Sequence, residues 1–584
     1  MKETPTPSHP CDEQTYPGQV FDRALHATAS QFIGYISPAA MRLAWIDWLF
    51  HLAICPAKQL DLMQTTLKSI QEFSLFMHES QNKQGCPPNA LCRENDKRFN
   101  SAAWNEFPFN VYAQGFLLMD HLWGECTQGI QGIDPHHRHF VDFFGRQFLD
   151  IFSPSNFPWT NPDVIAKTTQ EQGQNLIRGF HNLLEDFTRH QKGSGPIGTE
   201  QFQVGKNVAI TPGKVVYRNR LIELIQYQPT TSEVYPEPIL ITPAWIMKYY
   251  ILDLSPHNSL VKYLVSQGHT VFMISWKNPT SEDRDLSLED YVNLGIMSAL
   301  TVINAIVPDK KIHATGYCLG GTLLMMAAAA MAGLQDDRLK TINLFAAQID
   351  FENAGEILLF VDESQISYIE DIMWEKGYLD GAQMGGAFSM LHSTDLIWSR
   401  MIVNYLMGER ETLNDLMAWD ADTTRMPYTM HSQYLRKLFL NNDLVQGRFK
   451  INGENVLLPD VEAPMFVVST TKDHVAPWKS VYKIHFFTDT NVTFVLTSGG
   501  HNAGIISEPG HPNRSYKMLS HIDTHLHLTP EEWEASTPDR EGSWWSEWST
   551  WLAAHSGEKM APPAIGTAEY TVLCDAPGTY VLQK

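Results

Sequence analysis

Cysteine is scarce in this chain: seven in 584 residues, an odd number with no regular spacing. No Cys-x-x-Cys pair occurs, and Cys86 and Cys92 have five residues between them, which argues against structural zinc and against a disulfide framework. Basic charge is also short, with 43 Lys and Arg against 65 Asp and Glu and a net charge of -22. That lacks the basic surface of a nucleic-acid binder, although a local basic pocket for a small anion is compatible with it. No apolar stretch approaches the roughly 20 residues needed to cross a bilayer; the longest lies around Leu323–Leu334. The first ten residues have no apolar signal core. These absences predict a soluble cytoplasmic protein with no membrane span, and leave open a surface association with something hydrophobic. Internal repeats, phosphate loops and dinucleotide fingerprints are absent too. What is present is 43% hydrophobic and 18% charged residues, a globular composition long enough for more than one folding unit.

Residues 1–20, rich in Pro, Thr and charge, read as a disordered tail, and 21–192 as a helical N-terminal region. Its helical spacing shows in Phe32, Ile33, Ile36, Trp45, Trp48, Leu49 and Leu52, and is interrupted by a polar stretch near 81–99. After the Gly/Ser-rich break at Gly193–Gly198, short β-rich runs alternate with helix-like ones, which implies a mainly parallel sheet with helices on its faces. The strand-like runs are Val215–Gln226, Pro238–Thr242, Thr270–Ser275, Lys311–Thr315, Thr341–Ala346, Pro464–Ser469 and Val492–Thr497. Core segments are therefore expected at 193–350 and 461–528, with 351–460 as a cap insertion between them and 529–584 as a Trp-rich extension.

The run Gly316-Tyr-Cys-Leu-Gly-Gly321 follows an apolar strand and opens an apolar helix. Strand, sharp turn and helix are the setting of a nucleophile elbow, Gly-x-Ser-x-Gly, with Cys318 in the serine's place. A thiol there suggests acyl transfer through a thioester, and it needs a base and a group to orient that base. In α/β-hydrolase order the acid and then the histidine follow late strands. Pro464–Asp473 is a strand ending in an aspartate, and Val492–His501 is one ending in a glycine turn and a histidine. Cys318, Asp473 and His501 are the expected triad, with His474 a rival for the histidine's place. For the oxyanion the expected backbone donors are the N–H groups of Leu319 and, after Ile239–Ala244, Trp245, which could instead be a core or channel aromatic.

Several motifs resemble polyhydroxyalkanoate synthases of the class I, short-chain type. They include Lys248-Tyr-Tyr-Ile-Leu-Asp-Leu254, Ser275-Trp-Lys-Asn-Pro279, Asn404-Tyr-Leu-Met-Gly408, Tyr434-Leu-Arg436, Asp473-His-Val-Ala-Pro-Trp478 and Gly500-His-Asn-Ala-Gly504, besides the elbow itself. The likeness runs from about Asp22 to Trp551. It implies an α/β-hydrolase fold and polymerisation of (R)-3-hydroxyacyl-CoA, 3-hydroxybutyryl-CoA above all, into polyester on intracellular granules with release of CoA. It also implies a homodimer and no cofactor beyond the CoA that the substrate brings. By motif, Cys318 carries the acyl group, His501 is its base, and Asp473 is the third member or the activator of the incoming 3-hydroxyl. Asp253, Trp419, Tyr434 and His474 are candidates for the substrate channel or cap, with purely structural roles open for Asp253 and Trp419. The chain departs from the family pattern at Trp245 and Met247, and again at Asn502, Ser507 and Glu508.

Two rival readings remain. One is a thiol-dependent esterase or thioesterase using the same triad. The other is a non-enzymatic granule-surface protein that uses its N-terminal aromatic helix and Trp-rich tail. His521, His525 and His527 lack a carboxylate partner at helical spacing and read as surface residues, so no metal is expected.

Overall fold

The computed structural model describes residues 18–33, 35–82, 96–521 and 527–584. Its centre is an eleven-stranded sheet. In chain order the strands are β1 (Gly213–Arg218), β2 (Ile222–Tyr227), β3 (Ile239–Thr242), β4 (Val271–Trp276), β5 (Ile312–Tyr317) and β6 (Leu339–Phe345). They continue with β7 (Met465–Thr470), β8 (Val492–Thr497), β9 (Ser515–His521), β10 (Asp539–Glu541) and β11 (Cys574–Asp575). Across the sheet the order is β10-β9-β8-β7-β6-β5-β3-β4-β2-β1-β11. Pairing is parallel from β4 through β3, β5, β6 and β7 to β8. It is antiparallel on both flanks. The first eight strands therefore lie in the order 1-2-4-3-5-6-7-8, the α/β-hydrolase arrangement that the sequence predicts.

The parallel strands are covered on both faces, so their sequences are apolar along most of their length rather than alternating; all four residues of β3 and all six of β7 and β8 are buried. The register places Thr242 beside Gly316, Gly316 beside Leu344, and Thr470 beside Thr497. The carboxyl ends of β3, β5, β6, β7 and β8 thus finish abreast, and the crevice outside such ends is where open α/β sheets hold ligands.

Two expectations about elements need correction. The apolar run 215–226 is a hairpin rather than one strand, because the Asn219 side chain accepts from the N–H groups of Leu221 and Ile222 (2.8 Å each) and turns the chain. The expected tail through residue 20 overlaps α1, which begins at Gln19; residues 1–17 lie outside the described residues. The segment from 529 onward is also woven into the body of the fold. It supplies both outermost strands of the sheet, and its helix Trp545–Ala554 buries Trp545 and Trp548 with Trp544 beside them. The three indoles donate to Gly504 O (3.1 Å), Ile505 O (2.9 Å) and Asn343 Oδ1 (2.9 Å), which joins the tail to β6 and to the turn after β8.

Among the described residues, seven α-helices precede the sheet: α1 (Gln19–Ile33), α2 (Pro38–Ala53), α3 (Pro56–Asn82), α4 (Phe109–Thr127), α5 (Pro135–Ile151), α6 (Pro162–Gln170) and α7 (Gln174–Gln191). Each of α2, α5 and α6 has a proline in its first turn and a Ser, Asp or Asn side chain capping its N-terminus. This helical region docks on the helix Glu363–Lys376 of the segment between β6 and β7. Gln365 accepts from Ser37 N (2.7 Å) and donates to Tyr35 O (2.8 Å), while Asp371 pairs with Arg23 and His26. Among the described residues no helix is long and apolar enough to cross a membrane.

Because Trp548 is fully buried and hydrogen-bonded to a sheet residue, Trp548→Ala should destabilise the protein by about 3–5 kcal/mol. Denaturant unfolding checks this; a loss under about 1 kcal/mol would mean that the tail is not part of the core.

Candidate active site

Cys318 stands between β5 and the helix Leu319–Gly333 with φ 52° and ψ -126°. A non-glycine residue at positive φ is strained, and surrounding contacts must hold it there. Two glycines make that possible. A Cβ on Gly316 would fall 2.3 Å from Gly321 Cα, and one on Gly320 would fall 2.1 Å from Thr242 O and 2.6 Å from Pro243 O. The helix start is therefore pressed against the chain leaving β3, and the Cys318 N–H donates to Phe345 O (2.8 Å). Leu319 is the first residue of that helix, so its N–H is one of those an α-helix leaves without an intrahelical partner. It points the positive end of the helix toward the thiol's neighbourhood.

The turns after β7 and β8 bring two more groups to the same place. His501 Nδ1 donates to Asp473 Oδ2 (2.8 Å), and Asp473 Oδ1 accepts from the N–H groups of Val475 (2.9 Å) and Ala476 (2.8 Å). The carboxylate is thus locked from both sides and in turn fixes the imidazole's tautomer and plane. Cys318 is the other group whose electrostatic influence reaches His501. Burial opposes a charge on that ring, but the Asp473 carboxylate, with Cys318 as a second influence, outweighs it and holds His501 well above the ordinary imidazole range. A thiol, an imidazole and a carboxylate in a line can pass the thiol proton to nitrogen while the carboxylate steadies the resulting cation.

The thiol opens on a cavity of about 330 Å³ whose walls are mostly apolar. The helix Leu319–Gly333 contributes Leu319 and Thr322, the loop after β3 contributes Ile246, and the segment between β6 and β7 contributes Phe360, Leu379, Met384, His431, Tyr434 and Phe439 among others. Tyr35 and Ile36, from the step between α1 and α2, close another part of the wall.

Residues 95–264 match the family described as Poly-beta-hydroxybutyrate polymerase (PhaC) N-terminus, and 17–58 match Poly-beta-hydroxybutyrate polymerase N terminal. Residues 237–507 match the alpha/beta hydrolase fold. The poly(3-hydroxyalkanoate) polymerase of Methylorubrum extorquens is 42% identical over 495 residues, covering 84% of this chain and 81% of that protein. The poly(3-hydroxyalkanoate) polymerase subunit PhaC of Cupriavidus necator is 33% identical over 554 residues, 94% of this chain and 92% of that one. The chain belongs to the poly(3-hydroxyalkanoate) polymerase family. Among solved structures, the monoacylglycerol lipase of Paleococcus ferrophilus covers 57% of this chain and 99% of its own, with 10% identity and a TM-score of 0.32.

The other residues singled out by family resemblance fall in different places. Tyr434 lines the cavity and packs edge-on against Trp245 (ring centroids 5.9 Å). Trp245 has its side chain buried between Tyr291 and Tyr434, and the cavity wall is made by the next residue, Ile246. Asp253 is not among the residues lining the cavity; it is buried, its Oδ1 accepts from Thr211 Oγ1 and Ser259 Oγ, and burial raises its carboxyl despite those two bonds. Trp419 is also absent from the cavity wall. Its indole donates to Lys248 O (2.7 Å), which ties the segment between β6 and β7 to the loop after β3. Thr424 reinforces that tie by donating from Oγ1 to Trp245 O (2.6 Å). His474 packs on His392 (ring centroids 3.8 Å); burial and that neighbour lower its pKa. Asn502 accepts from the Tyr317 hydroxyl beside His501. Met247, another departure, forms an isolated bridge with Thr423.

Reading the sequence alone passed over Gln348 and His431, both of which line the cavity. The signal was faint. Gln348 is a single amide just beyond the carboxyl end of β6, and His431 is one of 23 histidines. His521 and His527 stack on each other (4.6 Å), and His525 lies outside the described residues. Among the described residues no group of three or more His, Cys, Asp or Glu is placed to hold a metal.

The raised His501 predicts a pH signature. Its contribution to stability is complete below the unfolded imidazole value of about 6.5 and fades as pH rises through the higher folded value. Asp473→Asn removes the carboxylate that holds the folded value up. Between pH 9 and 6, wild type should therefore gain stability relative to the variant as pH falls. Thermal unfolding across that window tests it, and parallel curves would overturn the assignment of the shift to Asp473.

Proposed function

We propose that this protein polymerises (R)-3-hydroxyacyl-CoA, with 3-hydroxybutyryl-CoA the preferred unit, into a polyester and releases CoA. The observation that carries this reading is the strained Cys318 elbow beside His501 and Asp473 at the mouth of an apolar cavity. Family membership supports the same reading. His501 takes the Cys318 proton, and the thiolate attacks the thioester carbonyl. The tetrahedral oxyanion is held by the backbone N–H of Leu319 and one from the chain after β3, with Trp245 the donor proposed there. Collapse breaks the bond to the CoA sulfur, which leaves with the proton from His501. The acyl group is now a thioester on Cys318.

Chain growth follows when the 3-hydroxyl of another unit attacks that thioester. Its proton passes to the base, an oxoester forms, and the Cys318 sulfur is released. The first step exchanges one thioester for another and is nearly balanced; the second makes a more stable oxoester and drives the reaction. A serine nucleophile would store the acyl group as an oxoester and forgo that drive. The apolar walls keep water from the intermediate, which separates a polymerase from a thioesterase.

The protein works as a homodimer on the surface of the polyester in the cytoplasm, without a cofactor of its own. Exposed apolar side chains on α2 (Leu43, Ile46, Leu49, Phe50) and α3 (Leu60, Met63, Leu67, Ile70) support contact with a hydrophobic phase.

Wild type should release CoA from (R)-3-hydroxybutyryl-CoA with insoluble polymer as the product, and Cys318→Ala should release it more slowly by over about 10³-fold. Free hydroxy acid in place of polymer would make the protein a thioesterase. Equal rates in the two proteins would remove Cys318 from the chemistry.

A further inference from the structure

Two residues in the wall of the cavity beside Cys318 each carry a buried polar atom without a hydrogen-bond partner, Gln348 Oε1 and His431 Nδ1. Both residues are nearly sealed from solvent, with 7% and 2% exposure. Buried polar atoms are almost always hydrogen-bonded, so two unpaired ones on residues that line the same apolar cavity are suited to meet a ligand's own polar group.

Their mountings are rigid. Gln348 follows the carboxyl end of β6, and its backbone oxygen accepts from Thr322 Oγ1 (2.8 Å) on the helix that Cys318 begins. His431 lies on the helix Tyr428–Gln433, with its ring 6.0 Å from that of Tyr434. Burial without a counter-charge pushes its pKa down to about 3, so the ring is neutral at physiological pH. A neutral imidazole offers one N–H donor and one acceptor nitrogen, and the amide oxygen is an acceptor.

An apolar enclosure with one donor and one acceptor fits an aliphatic acyl chain that bears a single hydroxyl. A plain acyl chain would leave both protein groups unpaired, which is how sites built around a hydroxyl reject analogues without it. We propose that His431 and Gln348 are specificity-determining residues that hold the hydroxyl on the third carbon of the acyl group joined to Cys318. The hydroxyl donates to Gln348 Oε1 and accepts from His431 Nδ1–H. With the thioester as the third point of attachment, the two contacts also choose between mirror-image configurations at that carbon. The proposal rests on Cys318 as the acyl carrier.

The test is the rate at which Cys318 becomes acylated, read by intact-protein mass, with (R)-3-hydroxybutyryl-CoA, its (S) isomer and butyryl-CoA. Wild type should favour the (R)-hydroxy substrate over each of the others. His431→Phe and Gln348→Leu should each reduce both preferences about tenfold. His431→Gln, which keeps an N–H donor, should recover part of them. Thermal unfolding identifies any variant that fails to fold, and the remaining variants then decide the question. Preferences equal to wild type in folded variants that still load Cys318 would overturn this proposal alone. No acylation of wild-type Cys318 by any of the three would overturn the acyl-carrier reading and this inference with it.

Discussion

Cys318 is held at positive φ by a contact that allows almost no extra volume. The first turn of the helix Leu319–Gly333 lies so close to the backbone of Thr242 and Pro243 that Gly320 has no room for a methyl group. That closeness sets the thiol above the sheet. It also brings the chain after β3, with its backbone donors, beside the first N–H of the helix. The site depends on this approach because an oxyanion pocket requires donors that are already in place before charge develops. The buried faces of β3, β5 and β6 supply the force that maintains it: apolar strands covered on both sides cannot shift without opening the core.

The second support is less direct. His501 sits on a loop, and loops are normally the mobile part of a fold. Here the residues that follow it are fastened from below. Trp544 and Trp545 donate to Gly504 O and Ile505 O, while Asp473 orients the imidazole from the neighbouring turn. The Trp-rich tail therefore acts on the site without touching the cavity. On the other side, Trp419 and Thr424 bind the segment between β6 and β7 to the loop after β3, and the Gln365 clamp brings the α1–α2 step into the cavity wall. Distant stretches of chain, at residues 35–36, 246, 346–348, 357–439 and 475–476, thus line one cavity with the thiol.

Much of this could be read along the chain. The elbow motif needs its glycines in sequence, and acid and histidine each end an apolar strand, so Cys318, Asp473 and His501 stood out before any coordinates. The parallel sheet followed from the alternation of buried strands and helices. The β1–β2 hairpin did not, because a single Asx turn at Asn219 interrupts what looks like one apolar run. The antiparallel β9 and the short β10 and β11 were also hidden. β9 is mostly half-buried, β10 and β11 are only two or three residues long, and all three carry little hydrophobic pattern.

By itself the sequence determined the chemistry available and the order in which it is presented: a thiol on a glycine turn, then a carboxylate, then an imidazole. Those are local properties, set by backbone sterics and by the periodicity of buried side chains. Only the tertiary structure decided what surrounds the thiol. It tied Asp253 to Thr211 and Ser259 and Trp419 to Lys248, and it put Gln348 and His431 in the cavity wall with one unpaired polar atom each. Whether a polar atom is satisfied depends on neighbours tens or hundreds of residues away, and no local pattern encodes that distance.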